Sequence, residues 1–392
     1  MRVCYVETLG QKLNGSQQSL LNLIDQLKDK NIEPYLVCHT RWELLSVAEK
    51  RGIKTFVVPQ KGLVIQEKDM SIKQRLKYPI KLGYNALQVP KAVRFLKENK
   101  IDIVHLNTTL TSSIWAEAAK KAGIKYVWHV REFLDLDHNR VILNKKRIIQ
   151  LLREADAVIA ISKAVKAHWD KTLGISCRLI YNGLPLNEYY DEITPDRFDG
   201  DINCLIVGRI TYNKGQMDAV KAIKRLKERG FSNIRLIVVG YRGISPYELE
   251  LKKYIEDNGL SDQIELVDYT YDMAQYRRRC QIGLMCSKAE AFGRVTIEYQ
   301  LAGLAVIGSN SGGTPELISD NETGALYTFG DDKELADKIE ALANDREKMK
   351  SIAHSGQQSA VSNFTIQRTA ENVRKLYDEI TQNSGSGGSN EN

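Results

Sequence analysis

The sequence predicts an α/β protein of two Rossmann-like domains, each a parallel sheet covered by helices. Three observations predict it. The chain has 392 residues, too many for one ordinary core and comfortable for two. Short, near-continuously apolar runs alternate with longer helical patterns, as parallel strands buried on both faces require. The alternation breaks once, across residues 181–200, and then restarts.

In the first half, strands are expected at 2–7, 34–38, 55–59, 103–107, 126–130, 157–161 and 178–181. Helices are expected between several of them, at 16–28, 111–121 and 162–169. The break, YNGLPLNEYYDEITPDRFDG, carries two prolines, two glycines and several carboxylates; it reads as a linker. Beyond it come strand 203–208, helix 217–229, strand 235–239, helix 246–258, strands 264–267 and 282–285, helix 295–302 and strand 305–308. The expected domains are 1–185 and 186–362. The end of the chain, 383–392, is NSGSGGSNEN, too polar and too rich in Gly and Ser to fold, and is expected to be a disordered tail.

Composition narrows the class. Hydrophobic residues make up 43% and charged residues 27%, the profile of a soluble globular protein. No stretch approaches the roughly 20 apolar residues of a membrane span. The opening MRVCYVETLG runs straight into a strand pattern and lacks the features of a signal peptide, so a cytoplasmic protein is expected. Cys4, Cys38, Cys177, Cys204, Cys280 and Cys286 are scattered, without a CxxC pair, and read as buried reduced thiols. Net charge is +7 and is unevenly spread: residues 61–100 hold ten Lys/Arg against Glu67, Asp69 and Glu98. Among those charges lie Ile72, Leu76, Tyr78, Ile80, Leu82, Tyr84, Leu87 and Val89. A basic amphipathic segment suits an anionic membrane surface; the plainer alternative is a solvated helix face. Nucleic acid is not expected, because the charge is local and no binding motif is present.

Open α/β sheets bind ligands outside the carboxyl ends of their strands, so the loops after strands carry the argument. The most informative stretch is 287–318, SKAEAFGRVTIEYQLAGLAVIGSNSGGTPELI. Glu290 follows a strand. Phe292, Gly293, Arg294 and Val295 then open a helix, whose first amides suit a phosphate or a sugar hydroxyl. Glu298 lies eight residues after Glu290, on that helix. The residues between are small and apolar, which favours a cleft over a solvated helix face, and the glycine-rich loop at 308–316 is expected beside them. Residues 205–215, LIVGRITYNKG, place Arg209 and Lys214 after another strand. In GQKLNGSQQ at 10–18, Gly15 and Ser16 allow a ligand to approach a helix start. In YVWHVRE at 126–132, His129 ends a strand; a lone His in an apolar run is more often a satisfied core residue. Asp135-Leu136-Asp137 spells a three-residue metal motif, too short to carry weight, and reads as a loop.

The 287–318 stretch resembles the signature of the large retaining glycosyltransferase family 4, the group 1 glycosyl transferases, which have the GT-B fold. Glu290 and Glu298 match that family's Glu-x7-Glu motif, and Gly312-Gly313-Thr314-Pro315-Glu316 matches its GGxxE element. The resemblance runs from Gly15 to the final helix, more specific in the second domain than in the first. It implies two parallel sheets facing a central cleft, with the donor on the second domain and the acceptor on the first. It implies Glu290 near the donor sugar's hydroxyls and Glu298 on the nucleotide's ribose; a carboxylate is a good acceptor for a vicinal diol. Arg209 and Lys214 match the family's basic element, where fixed cations stabilise the leaving diphosphate. His129 matches a histidine that contacts the donor sugar, with Arg131 and Glu132 supporting it or touching the acceptor. The 10–18 loop resembles the family's first glycine loop, although Asn14-Gly15 stands where two glycines are usual. Asn182-Gly183 resembles an element shaping the interdomain turn. The segment 364–377 resembles the last helix, which returns to the first domain, so 363–382 is assigned to it.

The implied activity is a hexosyl- or N-acetylhexosaminyltransferase retaining anomeric configuration, with the leaving phosphate as base. A UDP-sugar donor follows from family frequency, and a glycan or lipid-linked acceptor of cell-envelope or surface polysaccharide synthesis from the basic segment, at the inner membrane face. No cofactor or metal is implied; the nucleotide sugar is a substrate. A glycoside hydrolase using the two glutamates leaves Arg209 and Lys214 without a purpose. A dinucleotide oxidoreductase lacks its GxGxxG turn. A catalytically silent sugar-binding subunit would be expected to have lost part of this set.

Overall fold

The central apolar runs form parallel strands buried on both faces, while the edge runs, such as 54–57 and 264–268, are partly exposed. The computed structural model describes residues 1–7, 13–66, 71–109, 113–133 and 140–382. The chain divides into two compact units: Met1–Gly183 with the chain from Ile366 onward, and Leu184–Thr365. The expected tail at 383–392 and the Asp135-Leu136-Asp137 motif lie outside the described residues.

The strands of the first unit are β1 (Arg2–Val6), β2 (Glu33–Cys38), β3 (Lys54–Val57), β4 (Val64–Gln66), β5 (Ile103–Leu106), β6 (Lys125–Val130), β7 (Arg140–Ile142), β8 (Ala157–Ala160) and β9 (Arg178–Leu179). Seven of them form one sheet in the order β3-β2-β1-β5-β6-β8-β9, with every neighbour parallel. Its helices are α1 (Gly15–Lys28), α2 (Glu43–Lys50), α3 (Ile72–Ala86), α4 (Val89–Glu98), α5 (Ser113–Ala122), α6 (Lys145–Arg153) and α7 (Lys163–Leu173). Residues 61–100 are not wholly helical: β4 pairs antiparallel with β7, Val64 opposite Ile142. A three-residue strand is too short to show a period in sequence.

The second unit's strands are β10 (Ile202–Val207), β11 (Ile234–Tyr241), β12 (Ile264–Asp268), β13 (Ile282–Met285), β14 (Ala305–Ser309) and β15 (Ala325–Tyr327). They form a sheet ordered β12-β11-β10-β13-β14-β15, again parallel throughout. The helices are α8 (Leu186–Tyr189), α9 (Gln216–Glu228), α10 (Pro246–Asp257), α11 (Ala274–Arg279), α12 (Arg294–Leu301), α13 (Asp332–Asn344) and α14 (Arg346–Asn363). Most of the expected linker belongs to this unit. Leu184 bridges to Thr365, Phe198 is buried in the core, and Tyr189 accepts a hydrogen bond from Arg294. Aromatic residues with that much area to bury outweigh the prolines as local signals.

The last helix, α15 (Ile366–Gln382), is part of the first unit. Its buried residues Ile366, Ala370, Val373, Leu376, Tyr377 and Ile380 follow helical spacing, one apolar stripe against a core. They share a cluster with Val3, Leu20, Ile24, Ile103 and Ile159. All six cysteines are buried and free.

Candidate active site

In the second unit, strand order reverses between β10 and β13, and open α/β sheets gather ligands at such a point. The loops after β10, β13 and β14 meet there backbone to backbone. Lys288 N–H donates to the Asn213 carbonyl at 2.8 Å, and Gly313 N–H to the Glu290 carbonyl at 2.7 Å. The Ser309 hydroxyl donates to the Ser287 carbonyl at 2.6 Å. This lacing leaves no room for side chains. A Cβ on Gly312, whose φ is +58°, would meet the Glu290 carbonyl oxygen at 2.4 Å; one on Gly215 would meet the Cys286 oxygen at 2.0 Å. The glycines serve close backbone approach.

The lacing sets the charged side chains. Lys214 ends a short 3-10 turn (Tyr212–Lys214), and its Nζ lies 2.6 Å from Glu290 Oε2. The loop then passes Gly293, at φ +92°, into α12. One turn on, Arg294 Nε donates to Glu298 Oε1 at 2.8 Å. Its Nη2 donates to the Tyr189 hydroxyl at 2.6 Å, and its guanidinium lies 5.5 Å from that ring's centre. Glu298 Oε1 is thus bound by Arg294. Arg209 is exposed and forms no ion pair among the described residues.

The first unit has its own reversal, between β1 and β5. Glu7 follows β1 and Asn107 follows β5; both are buried, and Asn107 Nδ2 donates to Glu7 Oε2 at 2.6 Å. Arg131, just past β6, donates from Nε to the carbonyl and Oδ1 of Asn107, each at 3.0 Å. Its Nη1 donates to Asn182 Oδ1 at 2.7 Å, and its Nη2 lies 3.2 Å from His129 Nδ1. His129, fully buried, also faces His105 Nε2 at 3.2 Å. His105 Nδ1 contacts the Tyr377 hydroxyl of α15 at 2.6 Å. Burial, with the nearby charge of Arg131, holds both imidazoles well below the usual histidine range. Glu132 turns elsewhere, accepting from the Thr109 amide at 2.8 Å.

Lys214, Glu290, Gly293, Arg294 and Glu298 come together as one cluster. Val295 is half-buried on the same helix start. Two expectations meet a different environment. Phe292 is buried, its ring edge-on to Phe364 with centres 6.2 Å apart; an aromatic flanked by small residues is pulled into the core. At Gly15, Asn14 caps α1: its Oδ1 accepts from the Ser16 and Gln17 amides, each at 3.1 Å. An asparagine before a helix caps its first amides itself. Sequence reasoning missed His105, Glu7, Asn107 and Tyr377, and read Asn182 only as a turn. Buried polar residues inside apolar runs were the available signal.

Two family models match consecutive stretches of the chain: Glycosyltransferase Family 4 over residues 13–188 and Glycosyl transferases group 1 over residues 194–359. The chain belongs to the group 1 glycosyltransferases. Among similar proteins is the capsular polysaccharide biosynthesis glycosyltransferase CapM of Staphylococcus aureus, 26% identical over 51% of this chain; the match spans half the length of CapM (50%). Another is a Campylobacter jejuni α-1,4-N-acetyl-D-galactosaminyltransferase named for an undecaprenol-linked diphosphate glycan, 26% identical over 73% of this chain and 77% of that protein. Among solved structures, Anabaena HepE in complex with UDP superposes with a TM-score of 0.80 at 21% identity, covering 97% of this chain and 100% of that one. The fold is therefore α/β of the GT-B type, with two Rossmann-like units.

Proposed function

We propose that this chain is a retaining hexosyl- or N-acetylhexosaminyltransferase. It takes a sugar from a UDP-sugar and passes it to a glycan or lipid-linked acceptor in cell-envelope or surface polysaccharide synthesis. The observation that carries the reading is the Lys214–Glu290 contact at the second unit's reversal point, with Glu298 eight residues on. Lys214 and Arg209 neutralise the leaving diphosphate, Glu290 meets the sugar hydroxyls, and Glu298 meets the ribose. Gly293–Val295 and the backbone of Phe292 line the donor. Gly15 and His129 are the substrate residues of the first unit.

In the step itself, the acceptor oxygen bonds to the anomeric carbon on the face the diphosphate leaves. The carbon–oxygen bond to the diphosphate breaks, and the leaving oxygen takes the acceptor proton, so configuration is retained. The two cations do the work a divalent metal would otherwise do, and turnover survives chelation. A hydrolase leaves the Lys214–Glu290 contact without a purpose. CapM and the Campylobacter relative favour the acceptor class by name, and the UDP in HepE favours the donor.

Thermal stabilisation by UDP, GDP, ADP, TDP and NAD tests the reading, since a ligand of the folded state raises its melting temperature. A shift with one nucleoside diphosphate, lost in Glu298→Ala, supports it and names the base. No shift with any nucleotide returns the chain to a silent sugar-binding role or to a hydrolase.

We also propose that α3 rests on an anionic bilayer at the inner membrane face. Leu76 and Ile80, one helical turn apart, are 71% and 73% exposed, and Leu87 beyond the helix is 72% exposed. Lys77, Lys81, Lys91 and Arg94 lie in the same segment. Exposed aliphatics among lysines gain both apolar burial and Coulomb attraction at such a surface. No helix among the described residues is long and apolar enough to cross a membrane. Sedimentation with vesicles should depend on anionic lipid and weaken in Leu76→Ser/Ile80→Ser; equal partitioning with neutral vesicles sinks the idea.

A further inference from the structure

The hydrogen bonds of the first unit determine where its buried histidines carry their hydrogens. A guanidinium only donates, so Arg131 Nη2 donates across 3.2 Å to His129 Nδ1. That nitrogen therefore bears no hydrogen. His105 Nε2 faces the same atom at 3.2 Å, so the hydrogen between them belongs to His105. His105 is neutral: burial, then the charge of Arg131, push its pKa down to about 3. A neutral ring has one hydrogen, already placed on Nε2. His105 Nδ1 is then an acceptor, and the Tyr377 hydroxyl donates to it at 2.6 Å.

His129 is neutral for the same reasons: burial first, then Arg131 and His105. Its single hydrogen is left to Nε2. That atom is buried and has no hydrogen-bond partner among the described residues. Leaving a buried donor unmet costs on the order of 1–3 kcal/mol, and a built network ending in one calls for an explanation. Here the network is built: Asn107 and Asn182 grip Arg131, and α15 supplies the far end.

We propose that Arg131, His105 and Tyr377 are positioning residues: they hold His129, the histidine already placed at the sugar substrate, as a neutral ring whose one hydrogen is on Nε2, where it donates and does not accept. The identity of the substrate rests on the glycosyltransferase reading; the tautomer does not. A ring with hydrogen on Nε2 and two donors on Nδ1 has no free basic site, so His129 does not take the acceptor's proton. A fixed donor aimed at a substrate oxygen acts instead by orientation and by meeting developing charge.

The test is nitrogen NMR of the imidazoles in the full-length protein, labelled on its six histidines and assigned with His105→Gln and His129→Gln. The expected pattern at pH 7 is hydrogen on Nε2 only for both rings, unchanged to pH 5. Tyr377→Phe should shift the His105 Nδ1 signal and slow turnover about tenfold at unchanged donor KM. Glutamine keeps an amide N–H near the position of Nε2, so His129→Gln should retain at least about a tenth of turnover. His129→Ala should lose roughly a hundredfold or more, the usual scale for removing a fixed donor. A hydrogen on His129 Nδ1, a doubly protonated ring at pH 7, or a glutamine variant as slow as alanine overturns the proposal. The NMR pattern is read without sugar nucleotide, so failure of the glycosyltransferase reading leaves it standing.

Discussion

Each unit brings two polar side chains together where its strand order reverses. In the first, Asn107 meets Glu7 at 2.6 Å; in the second, Lys214 meets Glu290 at 2.6 Å. The topological position and the separation are alike, but the surroundings are not. Glu7 and Asn107 are both fully buried, and they begin a relay of side chains from β5, β6, the end of the first half and α15. Lys214 and Glu290 are 35% and 19% exposed, and their place is set by loop backbones pressed together. The first arrangement is a buried network gathered around one guanidinium, that of Arg131. The second is a pair of opposite charges partly open to solvent. Under the proposed function, a nucleotide sugar would bring hydroxyls to the carboxylate and phosphates to the cation.

The sharpest way to break the comparison is to remove the cations. Lys214→Ala and Arg209→Ala should each cut turnover by roughly 10²–10³, the scale of a lost transition-state contact, measured with the donor that the thermal panel identifies. Near-normal rates in both would remove them from the mechanism. Next comes the lacing. Gly312→Ala forces a Cβ against the Glu290 backbone at positive φ and should cost about 3 kcal/mol, read by chemical denaturation. Gly330 has φ +84° with nothing near its missing Cβ, so Gly330→Ala should cost only about 1 kcal/mol. Equal losses would mean that strain alone, without the close approach, explains the glycine.

The first unit is probed by acid. His105 has a folded pKa of about 3, against about 6.5 in an unfolded chain. Below pH 6.5 the unfolded chain binds a proton that the folded one refuses, so stability is full above that value and falls as pH drops toward 3. By pH 5 the loss from this residue is on the order of 2 kcal/mol. His105→Gln should flatten the fall in stability between pH 7 and pH 5; an unchanged slope would contradict a neutral buried ring. The smallest effect expected is at the first helix. Asn14→Ala removes the cap on the Ser16 and Gln17 amides and should cost about 1 kcal/mol, seen as a lowered melting temperature.

The same contrast explains what was legible in sequence. Long strands and helices showed by their periods, and the second unit's cluster showed by Gly312, Gly313, Glu290 and Glu298. Where backbone meets backbone, glycine is required at fixed spacing, and chemistry at fixed spacing can be read. The relay of the first unit has no such constraint. Tyr377 lies 272 residues from His105, and nothing local to either marks the other. His129 was visible only through its position at a strand end. β4 and β7 were too short to announce themselves, and Tyr189 and Phe198 gave structure to a stretch that its prolines made look loose.

The placement of α15 also bears on how the molecule is made. The first unit's core contains Val3 and Leu20 together with Val373 and Tyr377, so a ribosome must finish the whole second unit before the first can close. Pairing across that span carries the loop-closure cost of a late event. Until α15 docks, His105 lacks its tyrosine and the donor on His129 is unset. Docking of α15 is thereby a closing step: a chain interrupted before it would hold the second unit's paired charges, yet lack the finished first unit.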